Sequence, residues 1–342
     1  MMQDRYIGKG AFRTLAAMPV NPAGLLSPHR LVPAGETLFG RYRQLLLMAG
    51  NPDAPGKTAR DLTRVRLTRL DKVLYPEAGI TKQDVLTYYI RMAPFLIPFL
   101  HDRPVTMHRF PDGVGGEGFF EKDAPAGTPA YVEIFTRHSE TAGRDVHFVV
   151  CNNLDTLIWI ANLASIEIHA TLSTIASYTT PDLLLFDIDP EPPLIFDDVI
   201  QVAHGVREHL EARGLRPFVK TSGKKGVHIV VPLVSGYSFP AVRDFAHGIG
   251  RDIARDTPRV VSEFPRSRDK GTVFIDYLQN AHGKTMAAPY SLRATPGATV
   301  STPVRWEELR PGVRSEDFNI KTVISRVEDP WRDIFEDRQK IR

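Results

Sequence analysis

Leu183-Leu184-Leu185-Phe186-Asp187-Ile188-Asp189-Pro190 is an apolar run that closes on two acids and a proline. Five of the six residues from 183 to 188 are apolar, the make-up of a central strand, and Pro190 stops it. Residues i and i+2 of a strand share a face, so Asp187 and Asp189 project side by side. Two carboxylates ~4 Å apart repel by ~4 kcal/mol at an effective dielectric of roughly 20. Such a pair calls for a shared proton or a divalent cation, and hard oxygen ligands suit Mg²⁺ or Mn²⁺. Taken alone, the segment also reads as a strand end running into an acidic turn.

The run Thr221-Ser222-Gly223-Lys224-Lys225-Gly226-Val227-His228-Ile229-Val230-Val231-Pro232 reads as a strand pair broken by a tight turn. Gly223 and Gly226 let the backbone approach a ligand, and successive N–H groups there can form an anion nest. Ser222, Lys224 and Lys225 add a hydroxyl donor and two cations, which is phosphate-binding chemistry. A solubilising surface hairpin has the same composition. His228 enters the apolar strand that follows, where a histidine is ordinarily a packed core residue. A third acid closes the strand in Gly271-Thr272-Val273-Phe274-Ile275-Asp276-Tyr277-Leu278-Gln279-Asn280, so three strand-end acids can meet over one sheet edge. Three acids holding two cations beside a lysine-bearing glycine turn are what two-metal phosphoryl transfer needs. One ion lowers the pKa of an attacking hydroxyl. The other bridges a triphosphate and neutralises the leaving pyrophosphate.

With these segments in this order, the chain resembles the polymerase domain of bacterial ligase D and its stand-alone archaeal and bacterial relatives. These belong to the archaeo-eukaryotic primase superfamily and act in non-homologous end joining. The similarity runs from about Thr68 to the C-terminus. It is carried further by Leu70-Asp71-Lys72-Val73-Leu74-Tyr75-Pro76, Arg109-Phe110-Pro111-Asp112-Gly113, Phe119-Phe120-Glu121-Lys122, Glu167-Ile168-His169 and Ala288-Pro289-Tyr290-Ser291-Leu292-Arg293.

The resemblance implies that Asp187, Asp189 and Asp276 are the catalytic, metal-binding acids, holding two Mn²⁺ or Mg²⁺ ions. It places His108, Arg109, His169, Ser222, Lys225, Arg268 and Arg293 around the nucleotide, with Gln279 nearby. Phe120 would stack on the incoming base, since every base presents a π face; Phe119 and Phe120 could also both be core. Lys72 and Lys82 would grip a 5′-phosphate on the downstream side of a break or gap. The chain departs from the family pattern twice. His108 stands where the family often has lysine, which makes the charge there depend on pH. Arg69 stands where the phosphate pocket often has asparagine, and an arginine there could grip phosphate in two-pronged fashion or point into solvent.

Composition agrees with a cytoplasmic, nucleoid-associated nucleic-acid enzyme. The single cysteine, Cys151, excludes an internal disulfide and a cysteine-built zinc site. No stretch approaches the ~18 apolar residues of a membrane span. Residues 1–60 carry eight Lys/Arg against three acids, and the remainder 35 against 37. DNA binding must therefore rest on a local basic patch, for which Lys72, Lys82, Arg109, Lys225, Arg266, Arg268, Lys270 and Arg293 are candidates. Residues 1–60 are rich in Pro, Gly, Ala and Arg and read as a flexible extension, with the polymerase-like domain over 61–342. Helices are expected from after Thr81 to Met92 with Pro94 ending it, near 154–164, over 196–213 with Gly214 as its stop, and near 241–255. Strands are expected near 104–109, 183–188, 216–221, 227–233 and 272–277.

These readings give an α+β primase-polymerase fold, with a mixed sheet carrying the acids and an N-terminal α/β subdomain as the opposite wall. The expected activity is template-dependent nucleotidyl transfer that fills or extends DNA ends, with a ribonucleotide preference and some untemplated addition implied by the resemblance. No Lys-x-Asp-Gly ligase motif occurs in the sequence, so a separate ATP-dependent ligase and a Ku-type protein are the expected partners. Three other readings compete. They are a primase-polymerase outside end joining, a non-catalytic module that bridges DNA ends, and an aspartate-nucleophile phosphohydrolase. The last normally follows Asp-x-Asp with Gly-Thr, where this chain has Pro190-Glu191.

Overall fold

The structure, a computed structural model, describes residues 64–140, 143–263, 270–326 and 328–341. The expected extension over 1–60, and Arg266 and Arg268, lie outside the described residues. A short ladder of β1 (Val73–Tyr75) and β2 (Ile80–Thr81) leads into helix α1 (Lys82–Leu100). Thr81 and Asp84 close its first turn reciprocally: Thr81 Oγ accepts from the Asp84 N–H, and the Asp84 carboxylate accepts from the Thr81 N–H at 2.8 Å. The helix does not stop before Pro94. It carries Pro94 and Pro98 inside and runs on to Leu100. Each proline removes an N–H and crowds the preceding turn, but the added turns bury Leu96, Phe99 and Leu100 in the core, and that burial outweighs the loss.

The chain then builds an antiparallel sheet from β3 (Pro104–Arg109), β4 (Phe119–Glu121), β5 (Glu133–Ser139), β6 (Arg144–Val150) and, after helix α2 (Leu154–Asn162), β7 (Ser165–Thr171). Of these strands only β3 is expected from the apolar pattern. The β5–β6 hairpin is largely exposed, so no buried face marks it in the sequence.

The second sheet starts with β8 (Leu183–Pro190), two residues longer than expected, and follows with helix α3 (Phe196–Glu211), β9 (Phe218–Thr221) and β10 (Val227–Pro232). Gly214, at φ +72°, takes the left-handed turn that ends α3. Helix α4 (Phe239–Asp256), β11 (Val260–Val261) and β12 (Val273–Asp276) come next. β13 (Thr285–Ala287) returns to the first sheet and pairs with β7, while β14 (Pro303–Val304) joins β9, and a single turn, α5 (Ile320–Val323), follows. The first sheet thus has the order β13-β7-β3-β6-β5, with β4 against β3. The second, mixed sheet has the order β11-β12-β8-β10-β9-β14, and α3 and α4 pack on it.

The two sheets are tied together by a buried ion pair. Arg103, just before β3, meets Asp182, just before β8, with both prongs at 2.7 Å. Among the described residues no helix is long and apolar enough to cross a membrane.

Candidate active site

The register of the second sheet places the acids. Asp276 on β12 is the cross-strand partner of Asp187 on β8, and Asp189 lies two residues further along β8 on the same face. Burial, then the Asp187 charge, push the Asp276 carboxyl above the ordinary carboxylate range. The neighbouring Asp187 charge thus makes ionisation of Asp276 costlier, and the three acids on one face carry oxygen donors of the type a hard cation takes. Gln279 donates to Asp276 Oδ2 at 3.0 Å, and the Leu278 N–H donates to Oδ1 at 2.8 Å. Asn280, which the sequence reading passed over, holds this turn. Its buried amide takes the Leu185 N–H at 2.9 Å and donates to the Leu185 carbonyl at 2.7 Å, continuing the ladder where β12 has ended.

The same row continues across the sheet from Asp187 to His228 on β10 and Lys220 on β9. His228 is buried as expected, but it is not a bystander of the core: its Nε2 lies 3.2 Å from Asp187 Oδ1.

The 222–226 turn approaches the acids as the two glycines permit. A Cβ on Gly226 would stand 2.1 Å from the Ile188 carbonyl oxygen and 2.5 Å from Asp189 Oδ1. Gly223 has φ +72°, and a Cβ there would meet Arg293 at 2.6 Å. The expected open nest of N–H groups is altered: Ser222 Oγ accepts from the Lys224 and Gly226 N–H groups at 3.1 Å each, so those two donors close the turn instead of facing a ligand. Of the two lysines, Lys224 and not Lys225 reaches across to the first sheet, 3.6 Å from Glu167. Lys225 lines a separate cavity of about 490 Å³ with Pro190, Phe196 and Arg314, which Lys224 also borders.

Glu167, fully buried in β7, organises the opposite wall. His169 Nε2 lies 2.9 Å from its Oε2, and the Ala294 N–H donates to its Oε1 at 3.0 Å. His108 Nδ1 and Arg293 Nε each approach it to 3.3 Å, both outside hydrogen-bond alignment, which leaves two buried nitrogens without a bonded partner among the described residues. Burial works to raise the Glu167 carboxyl, but His108, His169 and Arg293 override it and hold the group far below the ordinary range. Burial, opposed by Glu167, keeps His169 below the ordinary histidine value. Among the described residues, His108, Glu167 and His169 are the trio whose ligand-type atoms close to within 4.8 Å. With two cationic side chains against the same carboxylate, the cluster is built to receive an anion more than a cation. Arg293 joins the walls, donating through Nη1 to the Ser222 carbonyl at 2.7 Å while facing Glu167.

Phe120 is 60% exposed and Phe119 45%, so neither is core. Phe120 stacks on the His108 ring, and the edge of His169 lies 5.5 Å from it, centroid to centroid. Arg109 is not brought to this group. It pairs with Glu121 at 2.8 Å, donates to the Leu163 carbonyl at 3.1 Å, and lies over Phe119. Alternation along β3 sends His108 and Arg109 to opposite faces.

At the N-terminus of α1, Arg69, Lys72 and Lys82 form a separate cationic cluster. Lys82 is only 5% exposed and donates to the Thr68 carbonyl and hydroxyl at 2.7 and 3.2 Å. Burial, then the charges of Arg69 and Lys72, pull its ammonium down to about 8. Lys72 pairs with the exposed Asp112 at 2.9 Å.

A mixed sheet presenting three carboxylates on one face, walled by a buried imidazole, carboxylate and guanidinium cluster, defines a primase-polymerase class of protein. The comparisons with known proteins agree. The chain belongs to the LigD primase-polymerase domain family, which residues 81–335 match. It is 32% identical over 286 residues to the multifunctional non-homologous end joining protein LigD of Pseudomonas aeruginosa, covering 81% of this chain and 34% of that protein. It is 30% identical over 281 residues to the bifunctional non-homologous end joining protein LigD of Bacillus subtilis, covering 81% and 45% respectively. The chain therefore spans less than half the length of these relatives. Among solved structures it matches the polymerase domain of Mycobacterium tuberculosis ligase D in complex with DNA, with a TM-score of 0.75 and 30% identity. That match covers 81% of this chain and 100% of that one.

Proposed function

We propose that the chain is a polymerase that fills and extends DNA 3′ ends during non-homologous end joining. It would transfer nucleotides from nucleoside triphosphates in a template-dependent manner, with some terminal addition. The observation that carries this reading is the pairing of Asp276 with Asp187, and of Asp189 on the same face, opposite a wall of basic groups. Bound by these acids, two Mg²⁺ or Mn²⁺ ions would supply activation of the 3′-hydroxyl and neutralisation of the pyrophosphate. Around them, Arg293, His169 and His108 would hold the triphosphate, with Ser222 and Lys225 at its margin; Arg268, outside the described residues, is expected to join them from the resemblance alone. Arg109 would act at most by bracing Phe119. Phe120 would take the incoming base on its exposed face. Gln279, bonded to Asp276, would serve sugar recognition. The cluster of Arg69, Lys72 and Lys82 would hold a 5′-phosphate of gapped or broken DNA.

Single-nucleotide insertion on gapped, 5′-phosphorylated DNA tests the proposal. The wild type should add a nucleotide with Mn²⁺ or Mg²⁺, and Asp187→Ala or Asp189→Ala should abolish addition while DNA binding by anisotropy stays. Extension by either variant would remove the metal assignment. A polar pocket aimed at a 2′-hydroxyl leaves a group unpaired when that hydroxyl is missing, at ~1–3 kcal/mol. Ribonucleotides should therefore be inserted at least ~5-fold more efficiently than deoxynucleotides. Sealing of the filled break by an added ATP-dependent ligase, stimulated by a Ku-type protein, would place the activity in end joining.

A further inference from the structure

Lys220 is fully buried in the middle of the catalytic sheet. Among the described residues its ammonium group has no carboxylate partner. Its contacts are His228 Nδ1 at 2.8 Å and Ser301 Oγ. Burial, then the Arg293 charge, press its pKa well below the ordinary lysine value, so the sheet keeps this side chain at a cost, and no expected site role accounts for it.

The directions of the hydrogen bonds around it can be worked out. Ser301 Oγ donates its hydrogen to the Thr221 carbonyl at 3.1 Å, so it accepts from Lys220. On the other side, His228 Nε2 stands 3.2 Å from a carboxylate oxygen of Asp187. Two lone pairs facing one another at that distance repel, so the ring hydrogen sits on Nε2. Nδ1 must then be an acceptor, and Lys220 is the donor that makes it one. Buried groups of this kind behind a metal-binding side chain fix its orientation.

We propose that Lys220 is a positioning residue of the polymerase site, which locks His228 in the Nε2–H tautomer and through that ring sets the orientation of Asp187. The inference rests on the reading of Asp187 as a metal ligand.

Three measurements on the full chain test it. With ¹⁵N-labelled histidine, His228 should show the Nε2–H pattern in the wild type and keep it in Asp187→Ala, because the Lys220 donor at Nδ1 is enough to hold the tautomer once the acid is gone. An Nδ1–H ring in the wild type, or loss of the Nε2–H pattern in Asp187→Ala, overturns the proposal without any Lys220 variant having to fold. Second, Mn²⁺ binding followed by electron paramagnetic resonance should weaken roughly 10- to 100-fold in Lys220→Met, the range for losing such a supporting partner. kcat should fall while KM for nucleotide holds. Third, His228→Gln carries a fixed amide that can donate to Asp187 unaided, so adding Lys220→Met to it should cost little further Mn²⁺ affinity. A merely structural lysine would cost the same in both backgrounds, and that result would overturn the proposal. If Asp187→Ala itself binds Mn²⁺ as the wild type does, the metal reading fails. If Asp187→Ala loses Mn²⁺ while Lys220→Met keeps it, only the inference about Lys220 fails.

Discussion

Phe120 lies flat on His108, with ring centroids 3.9 Å apart and planes 12° from parallel. One face of the phenyl ring is thus occupied by imidazole, and the side chain remains 60% exposed, which suits a platform for a nucleobase. Base stacking on an aromatic ring contributes ~1–3 kcal/mol. Phe120→Ala should raise KM for nucleotide by roughly 5- to 150-fold, at about 1.4 kcal/mol per tenfold, with kcat nearly unchanged. Steady-state insertion assays check this, and a KM within about twofold of wild type would remove Phe120 from the base site.

As a residue of the proposed phosphate pocket, Lys82 would link phosphate binding to pH. Its ammonium loses its proton near 8 in the folded chain, against the ordinary 10.5. A 5′-phosphate favours the charged form, so the preference for phosphorylated over hydroxyl-ended gapped DNA should shrink as pH rises through about 8. The stability sign runs the other way. The unfolded chain keeps that proton up to 10.5, so folding gains stability as pH rises from about 8 towards 10.5 and carries the full penalty below 8. Lys82→Met should remove both dependences and Lys72→Ala should reduce the first. Anisotropy titrations on the two DNAs, and melting curves across this range, measure them.

Gly226→Ala should inactivate the enzyme although the residue carries no chemistry. The added methyl cannot occupy space already held by the Ile188 carbonyl and the Asp189 carboxylate, so β10 or Asp189 must move. Overpacking of this kind costs ~1–3 kcal/mol. Insertion activity should be lost with only a modest drop in melting temperature; full activity would show that Asp189 tolerates displacement.

Arg103→Met should destabilise the whole chain. Among the described residues it leaves the buried Asp182 carboxylate with Arg338 at 3.3 Å as its one cation, and breaking one side of a buried pair costs ~3–5 kcal/mol. The double variant Arg103→Met/Asp182→Leu should recover much of that loss. Urea unfolding of the three proteins decides it.

The acids were legible in the sequence because their signal is local: an apolar run, two acids at strand spacing and a proline mark β8 without any partner. The cross-strand pairing of Asp276 with Asp187 was legible only as a possibility, since register is a tertiary property. Glu167 lies within Glu167-Ile168-His169, which in the sequence marks the family and not a centre; a carboxylate inside the wholly buried Ser165–Thr171 strand is the available sign. The directions of Arg109 and Lys225 were not legible, for the opposite reason. Composition says that a cation is present, while strand alternation and turn geometry decide where it points. Pro94 misled because proline's local penalty is visible and the burial that outweighs it is not.

β13 gives the order of synthesis a chemical meaning. The chain leaves the first sheet at Thr171, builds the acid-bearing strands, and only then returns at Thr285 to finish the first sheet and deliver Arg293. A nascent chain released or cleaved between residues 277 and 292 would already hold all three acids, yet lack the arginine that joins the two walls. On the proposed reading such a fragment would lack its triphosphate grip, so the return of the chain to the first sheet, and not the building of the acid-bearing strands, would decide when activity begins.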